Sequence, residues 1–391
     1  MAEPIIYVDR LGTDCEKWDN LKEKFGREGL LPLWVADMDF RVPQCVLEAE
    51  RAYLKTGILG YYKPPESYSE AFIAWERERH GYQVRREWLR FSPGVVPAIN
   101  WLVQLFTKPG DAVVVLTPVY YPFLHAVEDN GRALVGCELK ESGGRYTVDL
   151  DAFEAAIVER DVKLFILCSP HNPVGRVWTR AELTAMLDIC KAHGVLVVSD
   201  EIHQDFTYGA HRHIPSAAIG DYDHMLVTLT AASKTFNLAG CQNAFVILPD
   251  AGLRQAYDGF TRRLSLQSGN PFGYIAVEAA YRGGLPWFEQ VKAAIWENYQ
   301  YCRVTLAREL PKVSVSPLEG TYLLWAGFGG YLEPAELEPF FQEECGLAVD
   351  YGPWFGGSAA CHARFNLATK REIMEKAMEA VVSGLKAWGR V

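Results

Sequence analysis

The amino-acid sequence predicts an α/β fold, in which a mainly parallel sheet is flanked by helices and followed by a smaller α+β domain. Short and almost purely apolar runs, such as 112–116 and 164–168, alternate with helical patterns through the first two thirds of the chain. Strands that lack alternating polar residues are typical of a parallel sheet with both faces covered. After Pro271 the pattern changes to long helices and then to a shorter mixed tail. Together these two observations predict a two-part α/β architecture.

Hydrophobic periodicity gives the expected order of the elements. We expect residues 1–45 to form an N-terminal segment that packs with the small domain, residues 46–285 a large domain, and residues 286–391 a small C-terminal domain. In the large domain the pattern predicts helices 43–55, 66–80, 97–106, 121–130, 150–159, 180–193 and 272–281, and strands 112–116, 133–139, 164–168, 195–199 and 225–229. The small domain is predicted to contain helices 285–310, 333–345 and 370–388 and strands 320–326 and 361–367.

Length and composition restrict the possible functions. A chain of 391 residues exceeds one ordinary core, so about two domains are expected. The net charge of -10, without a basic cluster, argues against a nucleic-acid-binding or membrane-binding surface. No apolar run spans a bilayer and no export signal is visible, so the cytoplasm is the expected location. The nine cysteines are scattered without a C-x-x-C pair, which disfavours disulfides and a zinc site, and no metal is expected.

One lysine lies in a position that suits a nucleophile. Lys234 follows the apolar run 225–229 and is surrounded by small and hydroxylated residues. An amine at the end of a buried strand is placed to become a partly desolvated nucleophile. On this stretch alone, a surface lysine after a strand is the more common interpretation.

Other predicted strands also end in chemically useful side chains. Strand 195–199 ends at Asp200, strand 164–168 leads to Asn172 in a proline-rich turn, and strand 112–116 leads to Tyr120. Residues 92–96, which include Val95 and Val96, lie ahead of the helix predicted from Pro97, where free backbone N–H groups can bind an anion. Because ligands sit at the carboxyl ends of parallel strands, we expect these groups to lie together. An amine, a carboxylate, an amide, an aromatic ring and an anion cradle are what pyridoxal phosphate (PLP) requires.

The sequence also resembles a known family over essentially its whole length. It is similar to the fold-type I PLP enzymes, the aspartate aminotransferase superfamily, and within it most similar to the cystathionine β-lyase / cysteine desulfhydrase (C–S lyase) branch. The stretches that carry the resemblance are 34–40 (WVADMDF), 60–61 (GY), 117–120 (TPVY), 171–176 (HNPVGR), 199–203 (SDEIH), 233–240 (SKTFNLAG) and 364–366 (RFN).

The resemblance implies a set of site residues. Lys234 would anchor the cofactor covalently and act as the catalytic base, with Tyr120 as its catalytic partner stacked on the ring. The implied cofactor-binding residues are Lys234, Asp200 at the pyridine nitrogen, His203, Asn172, Tyr120, Val95, Val96, Ser233 and Tyr61. The implied substrate-binding residues are Arg364 at the α-carboxylate, Asn172 and Ala36. Tyr61 would reach the phosphate in a neighbouring subunit, so a homodimer is expected.

Three positions depart from the aminotransferases of this superfamily. This chain has His203 where those enzymes usually carry Tyr, and Gln242 where they carry a phosphate-binding Arg. It also has Ala231 in place of a common Ser. The first two departures agree with the C–S lyase branch. They leave Ser233, Thr230 and Tyr61 as the side-chain candidates for phosphate binding.

The resemblance therefore favours a PLP-dependent carbon–sulfur β-lyase, which would eliminate a thiol from cystathionine, cysteine or related S-conjugates and leave pyruvate and ammonia. Two alternatives remain open at this point. The same scaffold serves class I and II aminotransferases, which reprotonate the cofactor instead of expelling a thiolate. A non-enzymatic protein of this fold that binds a transcriptional regulator is the third hypothesis, and it depends on fold analogy alone.

Overall fold

The computed structural model describes residues 4–391, and its elements follow the predicted alternation of helices and strands. The β-strands are β1 (Leu31–Pro32), β2 (Leu89–Ser92), β3 (Ala112–Thr117), β4 (Ala133–Glu138), β5 (Lys140–Ser142), β6 (Arg145–Thr147), β7 (Val162–Cys168), β8 (Leu196–Asp200), β9 (Leu226–Thr230), β10 (Ala244–Ile247), β11 (Ser314–Val315), β12 (Leu323–Gly327), β13 (Leu347–Ala348), β14 (Asp350–Tyr351) and β15 (His362–Asn366). The α-helices are α1 (Glu16–Asp19), α2 (Leu21–Phe25), α3 (Gln44–Leu54), α4 (Glu66–Trp75), α5 (Val95–Phe106), α6 (Pro122–Glu128), α7 (Leu150–Glu159), α8 (Arg180–Ala192), α9 (Ala232–Thr235), α10 (Ala251–Leu264), α11 (Pro271–Gly283), α12 (Leu285–Glu309), α13 (Leu337–Pro339) and α14 (Arg371–Ala387).

A seven-stranded sheet organises the larger part of the chain. Its strand order is β2-β10-β9-β8-β7-β3-β4, and the five strands from β9 to β4 are parallel to their neighbours. β10 runs antiparallel to both β9 and β2. The prediction of a mainly parallel sheet flanked by helices is confirmed. Because β3, β7, β8 and β9 run in the same direction, their carboxyl ends meet at one edge of the sheet.

Side chains of the central strands bury both faces of this sheet. Val113 and Val115 of β3 pack in one cluster with Ile99 and Leu102 of α5. The intervening Val114 belongs to a second cluster on the opposite face, which also contains buried side chains of α8. Since successive side chains of a strand point to opposite faces, a continuous apolar run is what two covered faces require.

Some elements differ from the prediction. Strands β2 and β10 and helix α10 were not predicted; β2 is short and half-buried, and β10 has only four residues between two antiparallel neighbours. The predicted helix 333–345 is helical over 334–344, but only its middle is α-helical. A 3₁₀ turn at Pro334–Glu336 leads into the short α13, and a π-helical turn follows at Phe340–Glu344. Pro339 lacks the N–H that a regular α-helix uses, which agrees with this irregular hydrogen bonding.

The C-terminal part contains a four-stranded sheet of order β11-β12-β15-β14, and the long α12 precedes it. β1 of the N-terminal segment pairs in parallel with β13. This pairing brings the segment around Trp34 next to β14 and β15. Across residues 4–391, none of the helices combines the length and apolar character that a bilayer crossing would need.

Candidate active site

A cavity of about 180 Å³ opens at the carboxyl ends of the central strands. Nine residues singled out from the sequence line it. They are Ala36, Val95, Val96, Tyr120, Asn172, Asp200, His203, Ser233 and Lys234. These residues come from six separate stretches of the chain, so the topology of the sheet is what brings them together.

Lys234 lies in α9, the single helical turn that follows β9. Its Nζ donates a hydrogen bond of 2.7 Å to the carbonyl oxygen of Ala36. Burial lowers the pKa of Lys234 to about 8, and the nearby charge of Arg364 acts in the same direction. The carboxylates of Asp37 and Asp200 oppose that shift. The amine is therefore closer to its neutral, nucleophilic form at physiological pH than an exposed lysine.

Asp200 is the last residue of β8, and its carboxyl group is buried beside Lys234. The backbone N–H of Ile202 donates to Oδ1 at 3.0 Å. Burial raises the pKa of Asp200 to about 7, against the lowering effects of that hydrogen bond and of Lys234. Among residues 4–391, none forms an ion pair with this carboxylate within 4.0 Å. A cation supplied by a ligand would restore its ordinary acidity.

Tyr120 and Asn172 approach the cavity from the turns after β3 and β7. The backbone N–H of Tyr120 donates to the carbonyl oxygen of Asn172 at 3.0 Å, which couples the two turns. Burial raises the pKa of the Tyr120 hydroxyl, so this group stays protonated and its ring acts as an apolar surface. The pKa of His203 is well below its ordinary value, because the ring is buried and Lys234 and Arg364 are nearby. His203 is therefore neutral.

The opposite end of the cavity suits an anion. Gly94 precedes α5, and the free N–H groups of Val95 and Val96 begin that helix at the cavity wall. Ser233 and Asn243 also line this cavity, and the Asn243 side-chain nitrogen is buried without a hydrogen-bond partner among the described residues. A phosphate oxygen is an acceptor that these donors lack in the protein.

Two of the side-chain candidates for phosphate binding lie elsewhere. Thr230 is buried at the end of β9, where its hydroxyl donates to the carbonyl oxygen of Glu201. It does not line the cavity, so this expectation is corrected. The Tyr61 side chain is fully exposed in the loop between α3 and α4. Gln242 is exposed and has a left-handed backbone conformation, with φ at 49°.

Arg364 does not line the cavity itself but lies directly behind Asn172. Its Nη1 donates to Asn172 Oδ1 at 3.0 Å, and its Nη2 donates to the carbonyl oxygen of Trp34 at 3.1 Å. Nη2 also contacts the carboxylate of Asp350, which is fully buried on the adjacent strand β14. Asp350 was not predicted from the sequence. The guanidinium is thus held by three acceptors from three distant segments.

The segment around Ala36 closes the cavity from the N-terminal side. The Ala36 carbonyl oxygen accepts hydrogen bonds from Lys234 and from the Tyr322 hydroxyl, both at 2.7 Å. The Asn237 side chain donates to the carbonyl oxygen of Met38 at 3.0 Å, which fixes the same segment against the loop after α9. Tyr322, like Asn243 and Asp350, is a site residue that sequence reasoning missed. It comes from a loop with no distinctive local pattern.

The donor set fits PLP on structural grounds. A buried carboxylate without a cationic partner suits a protonated pyridine nitrogen, and a lysine with a lowered pKa suits a covalent link to the aldehyde. The free amides at α5 and the unpartnered Asn243 nitrogen suit the phosphate. The chemistry of a metal site is different, and among residues 4–391 no cluster of three or more His, Cys, Asp or Glu side chains has the arrangement of one.

Comparison with known proteins agrees with this geometry. The family model for aminotransferase class I and II matches residues 28–381. The cystathionine beta-lyase PatB of Bacillus subtilis (strain 168) is 41% identical over 379 residues, which cover 95% of this chain and 98% of PatB. Cystalysin from Treponema denticola, whose crystal structure contains pyridoxal 5'-phosphate, has a TM-score of 0.95 at 31% identity over 99% of this chain and 100% of its own. The PLP-bound C–S lyase from Staphylococcus hominis has a TM-score of 0.92 at 32% identity, and the match covers 97% of both chains.

Proposed function

This chain belongs to the aminotransferase class I and II family, and we propose that it is a PLP-dependent carbon–sulfur β-lyase. The observation that carries the proposal is the position of Lys234 beside the unpaired carboxylate of Asp200, in a cavity whose other end offers free amides. Three similar proteins support the choice of reaction. They are the cystathionine beta-lyase PatB, at 41% identity, the PLP-containing cystalysin and the PLP-bound C–S lyase from Staphylococcus hominis. The substrates would be cystathionine, cysteine or related S-conjugates.

The cofactor is held by groups that the site already presents. When bound, PLP supplies an electron sink for the negative charge that develops at the substrate Cα. Lys234 would bind it covalently, and the carboxylate of Asp200 would keep the pyridine nitrogen protonated. Tyr120, Asn172 and the neutral His203 would hold the ring, and Val95, Val96, Ser233 and Asn243 would donate to the phosphate.

Lys234 also moves the proton in the reaction. Once the substrate amine has replaced it at the cofactor, the neutral Nζ would take the proton from the substrate Cα. The electron pair left at Cα would form the Cα–Cβ double bond, and the Cβ–S bond would break with its own pair leaving on sulfur. The released thiolate takes up a proton, and water hydrolyses the remaining three-carbon fragment to pyruvate and ammonia. A pKa near 8 suits this role, because a useful fraction of the amine is neutral at physiological pH.

Substrate orientation depends on the groups next to Asn172. Arg364 binds the α-carboxylate, which a planar guanidinium can grip with two parallel hydrogen bonds. The Ala36 carbonyl oxygen, which accepts a hydrogen bond from Lys234, would accept one from the substrate amine. Binding on both sides of the Cα fixes its proton toward Lys234.

We further propose that the active form is a cytoplasmic homodimer. Tyr61 lies in a loop with the exposed side chains of Ile58 and Leu59, an apolar surface that a second copy of the chain would cover. In this arrangement Tyr61 contributes its hydroxyl to the phosphate of the partner's cofactor. The measurement is PLP retention on dialysis, which Tyr61→Phe should weaken. A fully active monomer would contradict the arrangement.

The test of the lyase activity is direct. The purified holoenzyme is incubated with L-cystathionine and no keto acid, while pyruvate, free thiol and the visible spectrum are followed. We expect pyruvate and thiol in equal amounts. A spectral shift to the pyridoxamine form without pyruvate would instead identify an aminotransferase.

The role of Lys234 has its own test, for which Lys191→Ala, an exposed lysine on α8, is the matched control. Lys234→Ala should abolish turnover and remove the cofactor that borohydride fixes to the wild-type protein. Persistence of borohydride-fixed cofactor in this variant would exclude Lys234 as the anchor.

A further inference from the structure

The ion pair between Arg364 and Asp350 is unusual among the arginine–carboxylate pairs of this protein. The two residues face each other on the antiparallel strands β15 and β14, and both are almost completely buried. Only Nη2 of Arg364 contacts Asp350. The Nε of Arg364 and the Oδ1 of Asp350 are both buried and have no hydrogen-bond partner among the described residues.

The pair of Arg90 with Asp258, which lies away from the cavity, has a different geometry. In the partly exposed pair of Arg90 with Asp258, Nε and Nη2 each donate to one carboxylate oxygen, at 2.5 and 2.9 Å. This bidentate form satisfies both partners. The buried Asp350–Arg364 pair leaves one strong donor and one strong acceptor unsatisfied, which is costly away from water. Such an incomplete pair indicates a site that a ligand completes.

The two hydrogen atoms of Arg364 Nη2 determine how a carboxylate ligand can bind. A guanidinium can grip a carboxylate through Nη1 and Nη2 or through Nε and Nη2, so both bidentate edges include Nη2. Nη2 has two hydrogens, and the carbonyl oxygen of Trp34 and the carboxylate of Asp350 accept both of them. A substrate carboxylate can therefore bind in bidentate form only after one of these two acceptors has left.

Trp34 is the acceptor that is held in place. On one side of it, the Leu33 carbonyl oxygen accepts from the Asn366 N–H at 2.8 Å. On the other side, the Val35 carbonyl oxygen accepts from the Asn366 side chain at 2.7 Å. These bonds fix the Trp34 peptide between two anchored neighbours. Asp350, in contrast, is a side chain that can rotate about two single bonds.

A second cation lies near Asp350. Lys24, on α2, places its ammonium group 4.6 Å from the centre of the Trp354 ring, and its charge acts on the Asp350 carboxylate together with that of Arg364. Lys24 has an exposed side chain and no ion pair within 4.0 Å among residues 4–391. It can therefore follow the carboxylate if Asp350 turns away from Arg364.

We propose that Asp350 occupies the carboxylate-binding edge of Arg364 in the free protein and is displaced from it when a substrate carboxylate binds. Asp350 is then a positioning residue that sets substrate affinity, because every carboxylate ligand must compete with it. The inference rests on the proposed function, in which Arg364 binds the substrate α-carboxylate. It can nevertheless be tested without turnover.

The probe is 3-(methylsulfanyl)propanoate, which has the carboxylate and the sulfur of a substrate but no amino group. Its dissociation constant is measured by titration calorimetry on the holoprotein. Asp350→Asn should bind it about tenfold more tightly than the wild type, since a competing charge-assisted hydrogen bond is removed. The matched control Asp258→Asn, which breaks the bidentate pair with Arg90, should bind it as the wild type does. With L-cystathionine, the Asp350→Asn gain should be in KM rather than in kcat. Unchanged or weaker binding would overturn the proposal.

Two further measurements separate the possible failures. If Arg364→Ala binds the probe as well as the wild type, Arg364 is not the carboxylate site, and the substrate contact in the proposed function is wrong. If Asp350→Asn does not fold, the wild type is crystallised with the probe. Departure of Asp350 from Nη2 supports the proposal, and a probe bound to Arg364 with Asp350 still on Nη2 overturns it.

Discussion

Asp200 and Asp350 are two buried carboxylates at the same site, and they differ in what surrounds them. Asp200 has a backbone N–H donor and no ion pair within 4.0 Å in the described chain, and burial raises its pKa to about 7. Asp350 contacts Arg364 and is close to Lys24, and burial raises its pKa only to about 6. Asp200 therefore has no cationic side chain as a direct partner, whereas Asp350 contacts the guanidinium that, in the proposed function, binds the substrate carboxylate.

The two carboxylates show that burial and ion pairing together set the energetic cost of each ionised group. Because burial makes an ionised carboxylate costly, each Asp lowers the free energy of unfolding by an amount that depends on its partner. In the proposed function, the partner of Asp200 would be the positive ring nitrogen of the cofactor. At Asp350 the partner is present, and the unsatisfied group is the remaining edge of the guanidinium. Replacing each carboxylate by its amide should therefore have opposite consequences.

The largest effect is expected from Asp200→Asn on catalysis. An amide cannot stabilise a protonated pyridine nitrogen, so the electron sink of the cofactor weakens in the transition state. We expect kcat for cystathionine cleavage to fall by about a thousandfold or more. The amount of PLP bound should change much less, and absorbance after gel filtration measures it. A kcat within tenfold of the wild type would show that Asp200 does not act on the cofactor ring.

The next effect is the stability of the apoprotein as a function of pH. A carboxyl group whose pKa is raised in the folded state stabilises the fold below its unfolded pKa, and that contribution is lost as the pH rises through the folded value. For Asp200 the window runs from about pH 4 to about pH 7. Asp200→Asn avoids this loss, so its advantage over the wild type should grow across the window to about 4 kcal/mol at most. Urea unfolding of both apoproteins at several pH values measures the difference. A constant difference would mean that Asp200 has its ordinary pKa.

Asp350→Asn should change stability in the opposite direction. Its removal leaves the Arg364 guanidinium buried without a counter-charge, which costs about 3 kcal/mol in comparable buried pairs. The same uncompensated charge is what should tighten carboxylate binding. Adding 3-(methylsulfanyl)propanoate should therefore raise the melting temperature of Asp350→Asn more than that of the wild type. A variant as stable as the wild type, with no added response to the probe, would contradict the comparison.

Only one of the two carboxylates, Asp200, was predicted from the sequence. Asp200 was predicted because it directly follows an apolar run, and Lys234, Asn172 and Tyr120 were found by the same rule. This rule works because parallel strands deliver their carboxyl ends to one edge. Asp350 also follows an apolar run, 347–349, so the same signal was present in the small C-terminal part but was not applied there.

The remaining omissions have a different physical cause. Asn243 directly precedes β10 and Tyr322 directly precedes β12, so the two lie far apart in sequence. Their positions at the site depend on tertiary contacts. The Tyr322 hydroxyl, for example, bonds to Ala36, which precedes it by 286 residues. The predicted helix 333–345 has nearly the predicted bounds, but the sequence did not indicate its change of helix type at Pro339. Phe340 and Phe341 pack in the core even though the backbone there is π-helical.

Both carboxylates act on the pKa of Tyr120, and substitution of this tyrosine should have the smallest effect. Burial raises the pKa of its hydroxyl, Asp350 and Asp200 act in the same direction, and Arg364 opposes them. The hydroxyl is therefore neutral, and in the proposed function the ring surface is the part that would hold the cofactor. We expect Tyr120→Phe to retain kcat/KM within about threefold, and Tyr120→Ala to lose about tenfold to a hundredfold because the stacked ring is missing. Steady-state kinetics with L-cystathionine on both variants measure the two effects. If Tyr120→Phe lowers kcat/KM as much as Tyr120→Ala does, the Tyr120 hydroxyl itself takes part in the reaction, and the ring surface alone does not explain its role.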